Sequence, residues 1–115
     1  MPKTIIQTTN APAAVGPYSQ AVKVGNMLYL SGQIPLRPDA SLETGDIKAQ
    51  ATQVLTNLKA VLEAGGSGLN RVVKCTCFLS DMNNFAAFNE VYATFFTVDY
   101  PAEAPFKLLV CQGMC

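Results

Sequence analysis

Asp46-Ile47-Lys48-Ala49-Gln50-Ala51-Thr52-Gln53-Val54-Leu55-Thr56-Asn57-Leu58-Lys59-Ala60-Val61-Leu62-Glu63-Ala64-Gly65-Gly66 is the stretch on which the fold turns. Its apolar residues Ile47, Ala51, Val54, Leu55, Leu58, Val61 and Leu62 follow one another at spacings of 4, 3, 1, 3, 3 and 1. That is one broad stripe at helical period, so the spacing predicts a helix capped by Asp46, running to about Ala64 and ended by Gly65-Gly66. A helix with a single apolar face must bury it against another layer.

The segments on either side supply that layer. Ahead of the helix, Ala21–Val24 and Met27–Leu30 are apolar runs separated by Gly25-Asn26, a hairpin signal because Gly accepts the positive φ such turns require. A short strand at Thr4–Gln7 precedes them across the irregular stretch Ala11-Pro12-Ala13-Ala14-Val15-Gly16-Pro17. A turn-rich loop from Pro35 to Gly45 leads into the helix. Beyond it, Arg71–Leu79 alternates with period two: Val73, Cys75, Cys77 and Leu79 share one face, Val72, Lys74, Thr76 and Phe78 the other. The second face is half apolar too, which predicts a central strand covered on both sides. Asn83 or Asn84 caps a second helix, about Phe85 to Phe96, with the stripe Phe85, Phe88, Tyr92, Phe95 and Phe96. Tyr100-Pro101 breaks the chain, and Phe106–Cys111 reads as a last strand. The order β, ββ, α, β, α, β predicts an α+β domain, two helices packed on one face of a mixed β-sheet.

At 115 residues, with half of them hydrophobic, the chain makes one domain, residues 1–115, with a core large enough to fold without disulfides or metal. Charged residues are 14% of the chain and cancel to a net charge of zero. That argues against disorder and supplies no basic field for nucleic acid or anionic lipid. So sparsely charged a surface predicts burial between subunits. No segment reads as a signal peptide or a membrane span, so the expected location is the cytoplasm, with free thiols.

Few residues stand out for chemistry. The chain has no histidine, which removes the commonest general base and metal ligand. Cys75, Cys77, Cys111 and Cys115 are spaced C-x-C and C-x3-C rather than as a C-x2-C knuckle, so buried inert thiols are expected and no metal. Asn89 falls inside the apolar stripe of the second helix, where an amide either bonds backbone or lines a site. Tyr18 follows Gly16-Pro17 on a stiff turn, as a packed anchor or a cleft residue. Ser31-Gly32 ends a strand and either presents a hydroxyl and an N–H to a ligand or simply allows close strand contact. No Gly-rich phosphate loop and no G-x-S-x-G elbow occurs.

Several segments together resemble a known family. They are Ala11 to Gln20, Gly25-Asn26 with Leu28 to Pro35, Gln50 through Asn57 to Gly65, Phe78 to Phe85, and Asn89, Tyr92, Phe95, Phe96 and Pro101-Ala102. This pattern, from about Thr4 to Ala102, is similar to that of the RidA-type reactive intermediate deaminases, the YjgF family. The resemblance implies a chorismate-mutase-like α+β fold and a homotrimer with ligand clefts between subunits. It also implies hydrolysis of 2-imino acids or their enamines, such as 2-iminobutanoate and 2-iminopropanoate, to 2-keto acids and ammonia, with no cofactor. On this view Tyr18 lines the cleft, Ser31 and Gly32 hold substrate or water, and Asn89 contributes an amide. An imine is already electrophilic, so orienting it beside one water suffices in a chain without histidine. A non-catalytic ligand-binding trimer is the alternative, as is the ribonuclease-type translation inhibition described for some relatives; zero net charge and the absence of histidine weigh against the last.

The chain departs from the pattern at its end. The family places a carboxylate-binding arginine after Pro-Ala, and here Glu103 follows Pro101-Ala102. Replacing attraction by repulsion changes the interaction by several kcal/mol at ~4 Å and an effective dielectric of ~20. Lys107 cannot substitute, being displaced by about 13 Å along a strand. The family also continues through a final strand that is not seen here. A one-base frameshift just ahead of Glu103 would account for both departures, because a restored frame can encode Arg, Gly, Pro, Phe, Gln, Val in its place. The expectation is therefore an imine deaminase whose activity is impaired in this chain.

Overall fold

In a computed structural model, residues 2–97 and 99–107 are described. Three antiparallel strands open the chain, β1 (Thr4–Ile6), β2 (Ala21–Val24) and β3 (Met27–Leu30), in the order β1-β2-β3. The β2–β3 turn is the expected one: Gly25 has φ +57° while Asn26 keeps negative φ, the pattern of a type II′ turn with glycine first. Pairing Ala21 with Leu30 and Ile6 turns these residues to one face, while Ile5, Val22 and Tyr29 share the other.

The helix α1 (Ile47–Ala64) begins where Asp46 accepts a hydrogen bond from the Ala49 N–H at 2.9 Å, and ends at Gly65. It buries Ala51, Val54, Leu55, Val61 and Leu62, as its periodicity requires, and also Asn57. Its C-terminal half meets the three-stranded sheet, where Val61 packs with Ala11, Ala21, Ile6, Leu28 and Leu30. Its N-terminal half meets the rest of the chain, where Ala51 and Leu55 pack with Cys77, Leu79, Phe88, Val91, Tyr92 and Phe96.

Four boundaries differ from the sequence expectation, the first being that of β1, which ends at Ile6 rather than Gln7. A 3-10 turn over Leu69–Arg71 shortens the fourth strand, β4, to Lys74–Leu79. The helix α2 (Phe85–Phe95) follows a 3-10 turn, Met82–Asn84, that is capped by Asp81 through the Asn83 N–H at 2.9 Å; Asn84 makes no side-chain cap. The last strand, β5 (Ala102–Lys107), starts early because the Ala102 N–H donates to Val73 O at 3.0 Å and sets a parallel register of Cys75 with Glu103 and Leu79 with Lys107. Of the predicted strand Phe106–Cys111, residues 108–111 lie outside the described residues, as do Cys111 and Cys115.

The α+β class holds. Within it, the described strands form two hydrogen-bonded groups, β1-β2-β3 antiparallel and β4-β5 parallel, rather than one continuous sheet. One face of β4 is packed, with Cys75, Cys77 and Leu79 turned to the helices; on the other Phe78 is half-buried while Lys74 and Thr76 are exposed. The expected second cover is not supplied by the described residues of this chain. The outer face of the three-stranded sheet is likewise open, with Ile5, Met27 and Tyr29 46%, 47% and 60% exposed.

Candidate active-site cleft

The irregular segment before β2 and the segment after β3 lie side by side, because β2 and β3 are adjacent and antiparallel. Ser31 ties them together: its N–H donates to Gln20 O at 3.0 Å and its hydroxyl to Ser19 O at 2.5 Å. Between them opens a cleft of about 30 Å³. Pro12, Ala13, Val15 and Tyr18 form one wall, residues 32–34 and Leu36 the other, and Gln20 the floor.

Each wall is held by a buried carboxamide. Gln20 Oε1 accepts the Thr8 N–H at 2.7 Å, and Gln20 Nε2 donates to Pro12 O at 2.8 Å and Thr8 O at 3.1 Å. On the other side Asn57, with no exposed surface, donates to Leu36 O at 2.7 Å and Ile34 O at 3.2 Å. Its own Oδ1 accepts from Gln53 Nε2 at 2.9 Å. Neither residue was singled out by reading the sequence for chemistry. The signal for Asn57 is its spacing, three residues after Val54 and four before Val61, inside the buried stripe.

Two of the four sequence candidates, Tyr18 and Gly32, line this cleft, and Ser31 precedes Gly32 outside the lining. Tyr18 is half exposed, and its hydroxyl accepts from the Val15 N–H at 3.3 Å, leaving its own proton to donate. Gly32 is exposed, and its N–H has no hydrogen-bond partner among the described residues. The Ser31 proton is committed to Ser19 O, so toward a ligand its oxygen is an acceptor. Asn89 is not part of this cleft: it lies half-buried on α2, and its side chain makes no hydrogen bond with a described residue. The backbone bond that would have made it a helix-fixing amide is thus not formed with any described residue.

Among the described residues the lining carries no charged side chain. A volume near 30 Å³ is room for a water or two, against roughly 300–1,000 Å³ for a small-molecule pocket. Among the described residues the lining offers an N–H donor and a phenol around a water-sized space, and nothing that would anchor an anion. Cys75 and Cys77 sit away from it, Cys77 buried in the core between β4 and the helices. Among the described residues no three His, Cys, Asp or Glu side chains cluster as a metal site. No helix among them is long and apolar enough to cross a membrane.

Comparison with known proteins gives the family of the chain. A RutC family protein of Pyrococcus horikoshii is 54% identical over 107 residues, covering 92% of this chain and 85% of its own. The 2-iminobutanoate/2-iminopropanoate deaminase of Escherichia coli K12 is 50% identical over 97 residues, covering 84% and 75%. Among solved structures, RidA from an Antarctic Psychrobacter superposes with a TM-score of 0.91 at 47% identity, covering 96% of this chain and 90% of that one. Escherichia coli TdcF with bound serine gives 0.90 at 36% identity, covering 96% and 91%. Since the Endoribonuclease L-PSP profile also matches residues 8–110, the chain belongs to that family, the YjgF/RidA proteins.

Proposed function

We propose that the chain is a hydrolase of 2-imino acids and their enamine tautomers, acting on 2-iminobutanoate and 2-iminopropanoate. Water adds to C2 of the C=N bond, and the tetrahedral carbinolamine expels ammonia to leave the 2-keto acid. The observation that carries this reading is that the Gly32 N–H, without a hydrogen-bond partner among the described residues, belongs to the lining of the same water-sized cleft as Tyr18. A donor fixed on backbone can polarise the electrophile or hold the developing oxygen without reorganising. The Ser31 oxygen, its proton already given to Ser19, accepts from the attacking water or from the nitrogen. The deaminase named among the relatives and the serine bound to TdcF both support a small α-amino-acid-like ligand.

Among the described residues the cleft of a single chain has no carboxylate anchor, and its volume is too small for the whole substrate. We assign the remainder to a neighbouring copy in a homotrimer, with Asn89 reaching the site across the subunit boundary. The open apolar face carrying Ile5, Met27 and Tyr29 supports that assembly. Glu103, at the β5 position in register with Cys75, stands where the family resemblance calls for arginine, and turnover is accordingly impaired. The reading places the protein in the cytoplasm with no cofactor.

Ammonia release from freshly generated 2-iminobutanoate tests this. The expected result is slow turnover by the chain and a clear rise in Glu103→Arg. Fast turnover by the unaltered chain would sink the impairment. Saturable binding of 2-oxobutanoate with no turnover by either protein would favour the non-catalytic ligand-binding reading, for which Glu103 itself is the motivating feature.

A further inference from the structure

We infer that Gln20 is the positioning residue of the cleft, holding the Pro12–Tyr18 wall at its working distance from Ser31 and Gly32; this rests on the reading that the cleft takes a 2-imino acid. Gln20 is 5% exposed, although its carboxamide could satisfy itself in water. Through it three segments are tied. Its Oε1 accepts the Thr8 N–H, and its Nε2 donates to Pro12 O and Thr8 O, with Ala11 O a longer third acceptor at 3.4 Å. Its backbone carbonyl accepts the Ser31 N–H. Residues 8–12 belong to no strand, so the backbone groups that a sheet would otherwise pair are paired by this side chain.

Both Nε2 protons of Gln20 are spent on backbone carbonyls and its Oε1 holds the Thr8 N–H, so from the floor of the cleft it acts by fixing the wall. Loss of the carboxamide frees residues 8–12, and Pro12, Ala13 and Val15 drift relative to Gly32. A drifting wall weakens ground state and transition state alike, because it makes no contact unique to the latter. That predicts a rise in KM with kcat retained. A residue needed only for folding would instead lower the amount of active protein, and kcat with it.

The test is Gln20→Met, which keeps length and apolar bulk and removes every polar atom, made both in the chain and in its Glu103→Arg variant. Turnover of 2-iminobutanoate should show KM raised about tenfold and kcat within about twofold of the parent. Amide hydrogen exchange should quicken at Thr8 and about tenfold at Ser31, and stay unchanged at Phe88 in α2. Gln20→Asn keeps the amide but shortens its reach by about 1.5 Å, and should give the same pattern more weakly. An unchanged KM with a freed Thr8 amide overturns the inference. So does an equal quickening at Phe88, or failure of both variants to fold. If neither parent turns over the imine, the reading of the function fails on its own; exchange at Ser31 against Phe88 then still decides whether Gln20 holds the cleft.

Discussion

Asn57 shows how one side chain can shape a site it never touches. Its amide caps the carbonyls of Ile34 and Leu36, 23 and 21 residues back along the chain, and so anchors the second wall of the cleft. Asn57→Asp removes both donors and sets a carboxylate against those two oxygens. Stability at pH 7 should fall by about 3 kcal/mol or more, read from the midpoint of urea unfolding at unchanged slope. At Asp39 the Ser41 hydroxyl and N–H donate to the carboxylate and hold its pKa below the ordinary value. The contribution of this turn is therefore present above the unfolded pKa of about 3.9 and is lost as pH falls through the lowered folded value. An NMR titration of the Ser41 amide should accordingly show a midpoint below 3.9, and a midpoint at or above it would remove the hydrogen bonds as its cause. At this scale the sequence was legible for Tyr18 and Gly32, whose residue types and neighbours announce a turn and a strand end. The partners of Asn57 and Gln20 were not, since a carboxamide carries no record of which distant carbonyl it will meet.

The elements follow from local signals wherever those signals are self-sufficient. The β2–β3 hairpin needs only Gly25, and α1 needs only its stripe, Asp46 and Gly65. Asp46→Ala leaves the Ala49 N–H without its acceptor and should cost about 1 kcal/mol, measured by chemical denaturation, with the loss of protection confined to the first turn of α1. Boundaries set by contacts elsewhere were read less well. The apolar run after Pro105 argues for a strand at Phe106–Cys111, but pairing begins at Ala102 because Val73 O is there to receive its N–H. The Asn83-Asn84 pair looks like a helix cap, yet Asp81 takes that part because a 3-10 turn intervenes. Periodicity fixes which face is buried, and tertiary hydrogen bonds fix where an element starts.

For the whole molecule, the informative feature is which surfaces stay open. Low charge in the sequence argued for subunit contact, and the chain has two sheet faces that its own helices do not cover, one of them bearing Met27 and Tyr29. If that face is the seam between copies, light scattering will give the mass of a trimer. Tyr29→Lys will then lower the mass, because an ammonium in an apolar contact must be desolvated without a partner. A monomeric parent would refute the assembly, and with it the route by which Asn89 reaches a cleft. The site is the part of this protein least contained in a single chain, which is why the sequence pointed to four residues and the cleft of one chain is lined by two of them, Tyr18 and Gly32.

The helix α1 has a further consequence. It takes part in both hydrophobic clusters, whereas no ladder of strand pairing joins β1-β2-β3 to β4-β5 among the described residues. A polypeptide severed near the exposed Asn70 would yield two pieces, each retaining its own intact ladder. The longer piece would carry a ready template, the Ala51 and Leu55 flank of the helix, for recapturing the shorter. The architecture thus lends itself to division and reassembly, with complementation of the halves governed by one amphipathic rod.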